Sequence, residues 1–108
     1  MSAATVTVVR PHADPATIEV HVGRGLPGFQ IVGAPSGAER EVRDRVRAAT
    51  LHLGYEWPLQ RITVLVVNGL AVAADLAIIA GILAATDQGN PPTEVPEGHV
   101  GLDGRWAA

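Results

Sequence analysis

The spacing of apolar residues changes along this chain, and that change constrains the fold more than any other feature of the sequence. Thr and Val alternate within residues 4–9, and apolar and polar side chains alternate within residues 17–22. Successive side chains of a strand point to opposite faces, so both segments are predicted to be strands. Pro11 and Pro15 lie between them and predict a turn that closes a β-hairpin.

A turn rich in Gly and Pro follows at residues 23–28, and the extended apolar run Phe-Gln-Ile-Val comes directly after it. Gly25, Pro27 and Gly28 predict a tight turn between two strands, because Gly adopts positive φ angles without strain. Arg24 gives the turn a positive charge, so a second interpretation is that it cradles an anion. We favour the structural interpretation.

A period of three to four residues begins once Gly33 and Pro35 have broken the extended run. Ser36 precedes Glu39 by three residues, which is the spacing of a capping box in which each side chain binds the backbone N–H of the other residue. The free N–H groups of a helix start also attract anions, but this capping would already use them. The apolar stripe of the predicted helix consists of Ala38, Val42, Val46, Ala49 and Leu53. Gly54 then predicts where the helix ends.

The second half of the chain is predicted to form a strand, a helix and a last strand. Residues 62–67 are a continuous aliphatic run, typical of a strand that is buried on both faces. Residues 71–86 are almost wholly apolar and long enough for a buried helix, with Asp75 as their only charge and predicted cap. Residues 88–98 hold three prolines and predict a loop, and residues 99–102 predict a short strand. The order β-β-β-α-β-α-β predicts a single α/β (α+β) domain of 108 residues with two helices on a mixed sheet.

The composition excludes several classes of protein. Hydrophobic residues make up 47% of the chain, enough for one core in one folded domain. Cys is absent, which excludes disulfides and Cys-based zinc sites. All eight basic residues are Arg, so no Lys is present for a Schiff base or a phosphate-binding loop. The N-terminus lacks the pattern of a signal peptide, and residues 76–85 are about half as long as a membrane span, so we expect a soluble cytoplasmic protein.

Four arginines are candidates for an interaction surface: Arg24, Arg40, Arg43 and Arg47. The last three share one face of the predicted helix, where they could contact DNA phosphates or an acidic partner. Glu39, Glu41 and Asp44 alternate with them, and ion pairs at i, i+3 or i, i+4 favour a solvated face instead. The net charge of −3 weighs against nucleic-acid binding. The four histidines lack the spacing of metal ligands, so no metal and no cofactor are expected.

Four blocks of sequence carry a resemblance to a known family. They are IEVHVGRGLPGFQIVGAP (18–35), EREVRDRVRAAT (39–50), PLQRITVLVV (58–67) and DLAIIAGILAAT (75–86), and the tail GHVGLDGRW (98–106) adds to them. Together they resemble the N-terminal domain of the YifB/ComM family of magnesium-chelatase-related AAA+ ATPases. The resemblance implies a fold similar to the proteolytic domain of Lon proteases, which belongs to a superfold shared with the second domain of ribosomal proteins.

One departure from the family pattern bears on catalysis. Before the last helix the family carries a longer segment with a Lys and a Ser, the residue types with which Lon-like proteases cleave peptides. Residues 68–77 hold Ala73 and Ala74 in that region. A Ser-Lys mechanism is therefore not expected, and no catalytic residue is assigned. A pocket of converging polar groups where residues 68–75 meet the sheet would contradict this interpretation.

The expected function is that of a non-catalytic interaction domain, accessory to a AAA+ motor. The 108 residues contain no phosphate-binding loop, so we expect self-association or docking to a separately encoded AAA+ partner through an open strand edge or an uncovered apolar face. Two alternatives remain open. One is a DNA-binding accessory module that uses the Arg-rich helix, and the other is a degenerate Lon-like hydrolase.

Overall fold

Two helices cover one face of a mixed β-sheet in this protein. The computed structural model describes residues 2–33, 37–68, 73–101 and 106–107. In chain order the elements are β1 (Ser2–Val9), β2 (Ala16–Gly23), β3 (Gly28–Val32), α1 (Glu39–His52), β4 (Arg61–Asn68), α2 (Asp75–Ala85), β5 (Glu94–Pro96), β6 (His99–Val100) and β7 (Trp106–Ala107). The predicted α/β class and the order β-β-β-α-β-α-β are confirmed, and two short strands follow.

The strands of the main sheet lie in the order β3-β4-β2-β1-β5. β1 and β2 form the predicted antiparallel hairpin, with Val8 opposite Ala16 and Ser2 opposite Val22. β4 is antiparallel to β2 and parallel to β3, and β5 is parallel to β1. α1 therefore connects two parallel neighbours, and α2 carries the chain from β4 across the sheet to β5.

The Gly-rich segment lies between two strands, β2 and β3, as predicted, but these strands are not neighbours in the sheet. Gly23 and Gly28 both pair with Arg61, from opposite sides of β4. β4 lies between β2 and β3 and pairs with both. Residues 24–27 therefore cross over the start of β4. Gly25 has a φ of 130°, the positive angle that was predicted, whereas Gly28 is already the first residue of β3.

The core lies between the helices and one face of the sheet. The buried residues of the three central strands are Ala16, Val6, Val8, Ile18, Val20, Val22, Ile62 and Val64. α1 contributes Val46 and Ala49, and α2 contributes Ile78 and Ile82 among others. Removal of these aliphatic side chains from water is the main force that holds the helices on the sheet.

β4 is buried on one face only, which contradicts the prediction that both of its faces are buried. Ile62 and Val64 are fully buried, whereas Thr63 and Leu65 on the opposite face are only partly buried and Val67, where the pairing with β2 shifts register, is 54% exposed. α1 and α2 contact each other and so lie on the same side of the sheet. A continuous aliphatic run cannot reveal this difference, because it suits a strand that is covered on either one or two faces.

α2 is shorter than the helix predicted at residues 71–86. It begins at Asp75 and ends at Ala85, and Ala74 before it has a φ of −111° and a ψ of 20°. Residues 71–72 lie outside the described residues. No helix in the described part of the chain is long and apolar enough to span a membrane.

Part of the segment 88–98, predicted as a loop, forms the edge strand β5. Val95 is buried, and the strand pairs in parallel with β1. Pro96 is tolerated there because an edge strand donates N–H groups to a neighbour on one side only. The strand predicted at residues 99–102 is confirmed for His99–Val100, which pairs with β7; Leu102 lies outside the described residues.

The start of α1 differs from the prediction. Glu39 is the first helical residue and Ala38 is the N-cap, with no capping bond from a side chain. The predicted capping role of Glu39 is therefore wrong, because its carboxylate accepts the backbone N–H of Ile31 in β3 at 2.9 Å. Pro35 and Ser36 lie outside the described residues.

The end of α1 follows the prediction. Gly54 has a φ of 88°, and its N–H donates to the carbonyl of Leu51 at 3.0 Å. The N–H of Tyr55 donates to the carbonyl of Thr50 at 3.1 Å. These two bonds are the Schellman motif, in which a residue with positive φ satisfies the last carbonyl groups of a helix.

Candidate functional site

A buried carboxylate at the start of α2 organises the most polar part of the interior. Asp75 is 2% exposed. Its oxygens accept two hydrogen bonds from Arg45 of α1, from Nε to Oδ2 at 2.9 Å and from Nη2 to Oδ1 at 3.2 Å. Oδ2 also accepts the backbone N–H of Val100 in β6 at 3.0 Å. The predicted capping role of Asp75 is wrong, because no side-chain capping bond forms and the carboxylate joins three elements instead.

Two further side chains extend this cluster toward solvent. Glu41 lies one helical turn before Arg45 and forms an ion pair with it, with Oε1 3.4 Å from Nη1. Nδ1 of His99 lies 3.3 Å from Nη2 of Arg45 and 3.6 Å from Oδ2 of Asp75. The hydrogen bond with Asp75 raises the pKa of the Arg45 guanidinium above its ordinary value, and with the charges of Asp75 and Glu41 it outweighs the opposing effect of partial burial. Arg45 therefore stays charged and paired.

The cluster borders a cavity of about 270 Å³ between the two helices and the sheet. The described residues that line it are Ile18, Ile31, Gly33, Ala38, Glu41, Val42, Arg45, Val64, Val66, Ala73, Ala74, Asp75, Ile78 and His99. This is a pocket with polar groups near residues 73–75, the arrangement that would contradict a non-catalytic interpretation. Those polar groups, however, bond to one another.

The chemistry open to this cluster is limited by its existing bonds. Oδ2 of Asp75 already accepts hydrogen bonds from Arg45 and from the N–H of Val100. To act as a general base it would have to lose one of these bonds and stay ionised in a buried position. The described lining of the cavity contains no hydroxyl, thiol or amine to serve as a nucleophile. The geometry suits a structural link between α1, α2 and β6.

The structure divides the predicted arginine surface into separate places. Arg40 and Arg43 line a depression of about 460 Å³ together with Phe29 and Glu39. Arg47 lines a different groove, beside Leu51, Tyr55, Trp57 and Leu59 among others. Arg24 is exposed on the loop that crosses the start of β4, as is Pro27.

The predicted ion pairs along α1 are only partly present. Arg43 pairs with its neighbour Asp44, with Nη2 3.0 Å from Oδ1, and the described residues contain one i, i+4 pair on this helix, between Glu41 and Arg45. Among the described residues, no acidic partner is seen for Arg40 or Arg47.

Gly33 has a φ of 95° and follows the last residue of β3, where the break in the chain was predicted.

Arg45 and His99 are the site residues that sequence reasoning missed. One signal could have found Arg45. Asp75 is the only charge in an otherwise apolar helix, and a carboxylate in such a place needs a cation. Arg45 is next to the buried Val46 and lies off the face shared by the other helix arginines, which makes it the natural partner. The contact with His99 has no local signal, because 54 residues separate it from Arg45.

Comparison with known proteins gives consistent matches. The sequence pattern of the family described as subunit ChlI of Mg-chelatase matches residues 18–106. The protein YifB of Escherichia coli is 42% identical, over 71% of this chain and 16% of the relative. The competence protein ComM of Haemophilus influenzae is 45% identical, over 67% of this chain and 15% of the relative. A protein of Mycobacterium bovis is 38% identical, over 82% of this chain and 19% of the relative. The chain thus spans less than a fifth of the length of these relatives.

Proposed function

Since this chain belongs to the family of subunit ChlI of Mg-chelatase, over residues 18–106, we propose that it is a non-catalytic interaction domain that works beside an ATPase module. It docks to a AAA+ module or associates with itself. The family match and the shared N-terminal blocks support a place next to such a module.

The observation that carries this proposal is that the polar groups of the cluster are hydrogen-bonded to one another. The carboxylate of Asp75 accepts three hydrogen bonds from Arg45 and the N–H of Val100, so it holds the helices together and leaves no carboxylate oxygen free of a protein donor. A hydrolase needs a nucleophile or an activated water beside such a group. The described lining of the cavity supplies no hydroxyl, thiol or amine nucleophile.

Exposed apolar residues support an interaction role. Leu26 and Leu59 are 84% and 83% exposed, and they lie on the two loops that meet at the start of β4. Leu51 and Leu53 at the end of α1 are also exposed. Isolated exposed leucines are ordinary on a protein surface, but several at one end of a small domain favour a contact with another protein.

The proposal is tested with the purified chain and with the remainder of the Escherichia coli relative, expressed without the segment that matches this chain. We expect light scattering to show either a mass that rises with the concentration of this chain alone or a complex with that remainder. Isothermal titration calorimetry gives the affinity of the complex. A monomer over a wide range of concentrations, combined with no heat of binding, would contradict the proposal.

A degenerate hydrolase is the second candidate, favoured by the cavity beside Asp75 and His99. It predicts cleavage of casein or of short peptides that is lost in His99→Ala, a change at a largely exposed side chain that leaves the Arg45–Asp75 pair intact. Cleavage that survives His99→Ala and Asp75→Asn would come from a contaminant. Under our proposal the purified chain cleaves neither substrate.

DNA binding through the Arg-rich helix is the third candidate. The exposure of Arg40 and Arg47 favours it, and the net charge of −3 weighs against it. It predicts salt-dependent binding of a DNA duplex that Arg43→Glu and Arg47→Glu weaken alike.

A further inference from the structure

The outer edge of β3 combines three features that suit an extended partner. It is an edge of the main sheet, it lies beside a depression with two arginines, and one of its outward N–H groups is held by a side chain of α1. We propose that this edge binds an extended acidic segment of a partner protein as an added strand. This inference deepens the proposed interaction function and rests on it.

The direction of the backbone groups follows from the pairing with β4. The N–H of Gly28 donates to the carbonyl of Gln60, so Gly28 faces β4. N–H groups alternate between the two sides along a strand, so those of Phe29 and Ile31 face away from β4. The N–H of Ile31 donates to Oε2 of Glu39 at 2.9 Å, which agrees with this alternation. The outward N–H of Phe29 is therefore available for strand addition, the recognition mode in which backbone hydrogen bonds supply affinity, and that of Ile31 becomes available when Glu39 is displaced.

Glu39 acts on this edge as an internal competitor. Its carboxylate occupies the position that the carbonyl of an added strand would take on the N–H of Ile31. An exposed strand edge risks pairing with unrelated chains, and a charged side chain laid on it is a common protection. An incoming strand displaces this carboxylate into solvent, so Glu39 sets the affinity of the edge.

The charge of the depression selects the partner. Arg40 and Arg43 line it together with Phe29 and Glu39, so two guanidinium groups stand against one carboxylate. Arg40 has no acidic partner among the described residues, and Arg43 has only its partly exposed neighbour Asp44. Side chains of an added strand alternate between the two faces of the sheet, so every second residue of the segment comes to lie next to α1. Acidic residues at those positions would pair with the two arginines.

The edge of β3 and the depression beside it fit a protein strand better than a nucleic acid. A phosphate backbone needs cations along its length, whereas the cations of α1 are split between this depression and the groove of Arg47. Backbone N–H groups in strand geometry and the ring of Phe29, which lies 6.1 Å from that of Trp57, suit a peptide with apolar and acidic residues in alternation.

The test uses a fluorescent peptide of alternating Glu and Val, titrated with the full chain. We expect saturable binding, with a matched peptide of alternating Lys and Val showing none. Glu39→Ala should tighten binding about tenfold, because it removes a charged acceptor that competes for the N–H of Ile31. Glu39→Gln, which keeps a neutral acceptor, should lie between this variant and the original chain.

The arginine variants separate a local contact from general attraction. Arg40→Glu and Arg43→Glu should each weaken binding about tenfold, while Arg47→Glu, the same charge change on the same helix but outside the depression, should leave it within about twofold. Equal weakening by Arg43→Glu and Arg47→Glu would overturn the proposal. So would binding of a DNA duplex at this surface with no binding of the acidic peptide.

Amide hydrogen exchange supplies a readout that a merely structural role of Glu39 would not change. The acidic peptide should slow the hydrogen exchange of the Phe29 amide. If saturating peptide left the exchange rate of this amide unchanged, strand addition would be overturned. The result is independent of the light-scattering test. If the remainder of the relative binds this chain but the peptide does not, the strand-edge proposal alone fails. If the peptide binds and the remainder does not, the proposed place beside an ATPase module fails.

Discussion

At the scale of single residues, the ends of the two helices and the close contact between Gly81 and Val20 determine local stability. The chain places Gly54 after α1, where a residue with positive φ closes the helix. After α2 the equivalent position is held by Asp87, with a φ of 55°. The N–H groups of Asp87 and Gln88 donate to the carbonyls of Ala84 and Leu83, so the same motif forms without Gly.

Asp87→Gly is expected to stabilise the protein by about 0.5–1 kcal/mol, because Gly adopts a positive φ without the strain that a side chain imposes. Urea denaturation with an unchanged m-value measures the gain. Gly54→Ala is the converse change and should destabilise by a similar amount or more. If both variants shifted the midpoint in the same direction, backbone strain would not be the cause.

Gly81→Ala should destabilise the protein although Ala is the better helix former. A Cβ at this position would lie 2.9 Å from Cβ of Val20 and closer still to Cγ2 of the same residue. The clash should cost about 2 kcal/mol or more, which outweighs the gain of about 1 kcal/mol in helix propensity. Val20→Ala in the same chain should recover part of the loss, and additive effects in this double-mutant cycle would rule out the contact.

At the scale of the elements, the link between Arg45 and Asp75 fixes the packing of α1 on α2. Arg45 Nε lies 2.9 Å from Asp75 Oδ2, and Asp75 also holds the N–H of Val100. α2 has hardly any polar side and is buried nearly all round, so the pattern of apolar residues along it specifies its rotation only weakly. We propose that the buried ion pair at its first residue adds specification, a role that such pairs have in some proteins.

Asp75→Asn is therefore expected to destabilise the protein by about 3 kcal/mol, because it leaves the charge of Arg45 partly buried and without its partner. Thermal and urea unfolding measure the loss. Asp44→Asn breaks the exposed pair with Arg43 and serves as the matched control, with a cost below about 1 kcal/mol. Equal costs for the two changes would mean that burial of the Arg45–Asp75 pair contributes nothing.

At the scale of the whole molecule, both helices lie on one side of the sheet and leave the other side partly exposed. Val64 and Val67 belong to the same strand, yet the first is fully buried and the second is 54% exposed. We propose that the exposed side and the edge of β3 are available for contact with a partner.

Truncation of two valines in β4 tests this one-sided arrangement. Val64→Ala should cost about 2 kcal/mol, because it removes two buried methyl groups and leaves a cavity. Val67→Ala should change the free energy of unfolding of the isolated chain by less than about 0.5 kcal/mol. A large cost for Val67→Ala that appears only at high protein concentration would instead place this face in an interface between copies.

The sequence by itself determined the class of fold, the hairpin, α1 with its Gly54 end, and membership in the family, because periodicity, turn residues and motifs are local properties of the chain. Tertiary structure alone decided that β4 inserts between β2 and β3, that one face of β4 stays open, and that Asp75 meets Arg45 and His99. The contact of Asp75 with Arg45 spans 30 positions of the sequence, and that of Arg45 with His99 spans 54. Glu39 shows the same limit, since its spacing from Ser36 fitted a helix cap while the fold placed Ile31 within its reach. Local patterns specify which faces must be buried, but only packing selects the surface that buries them.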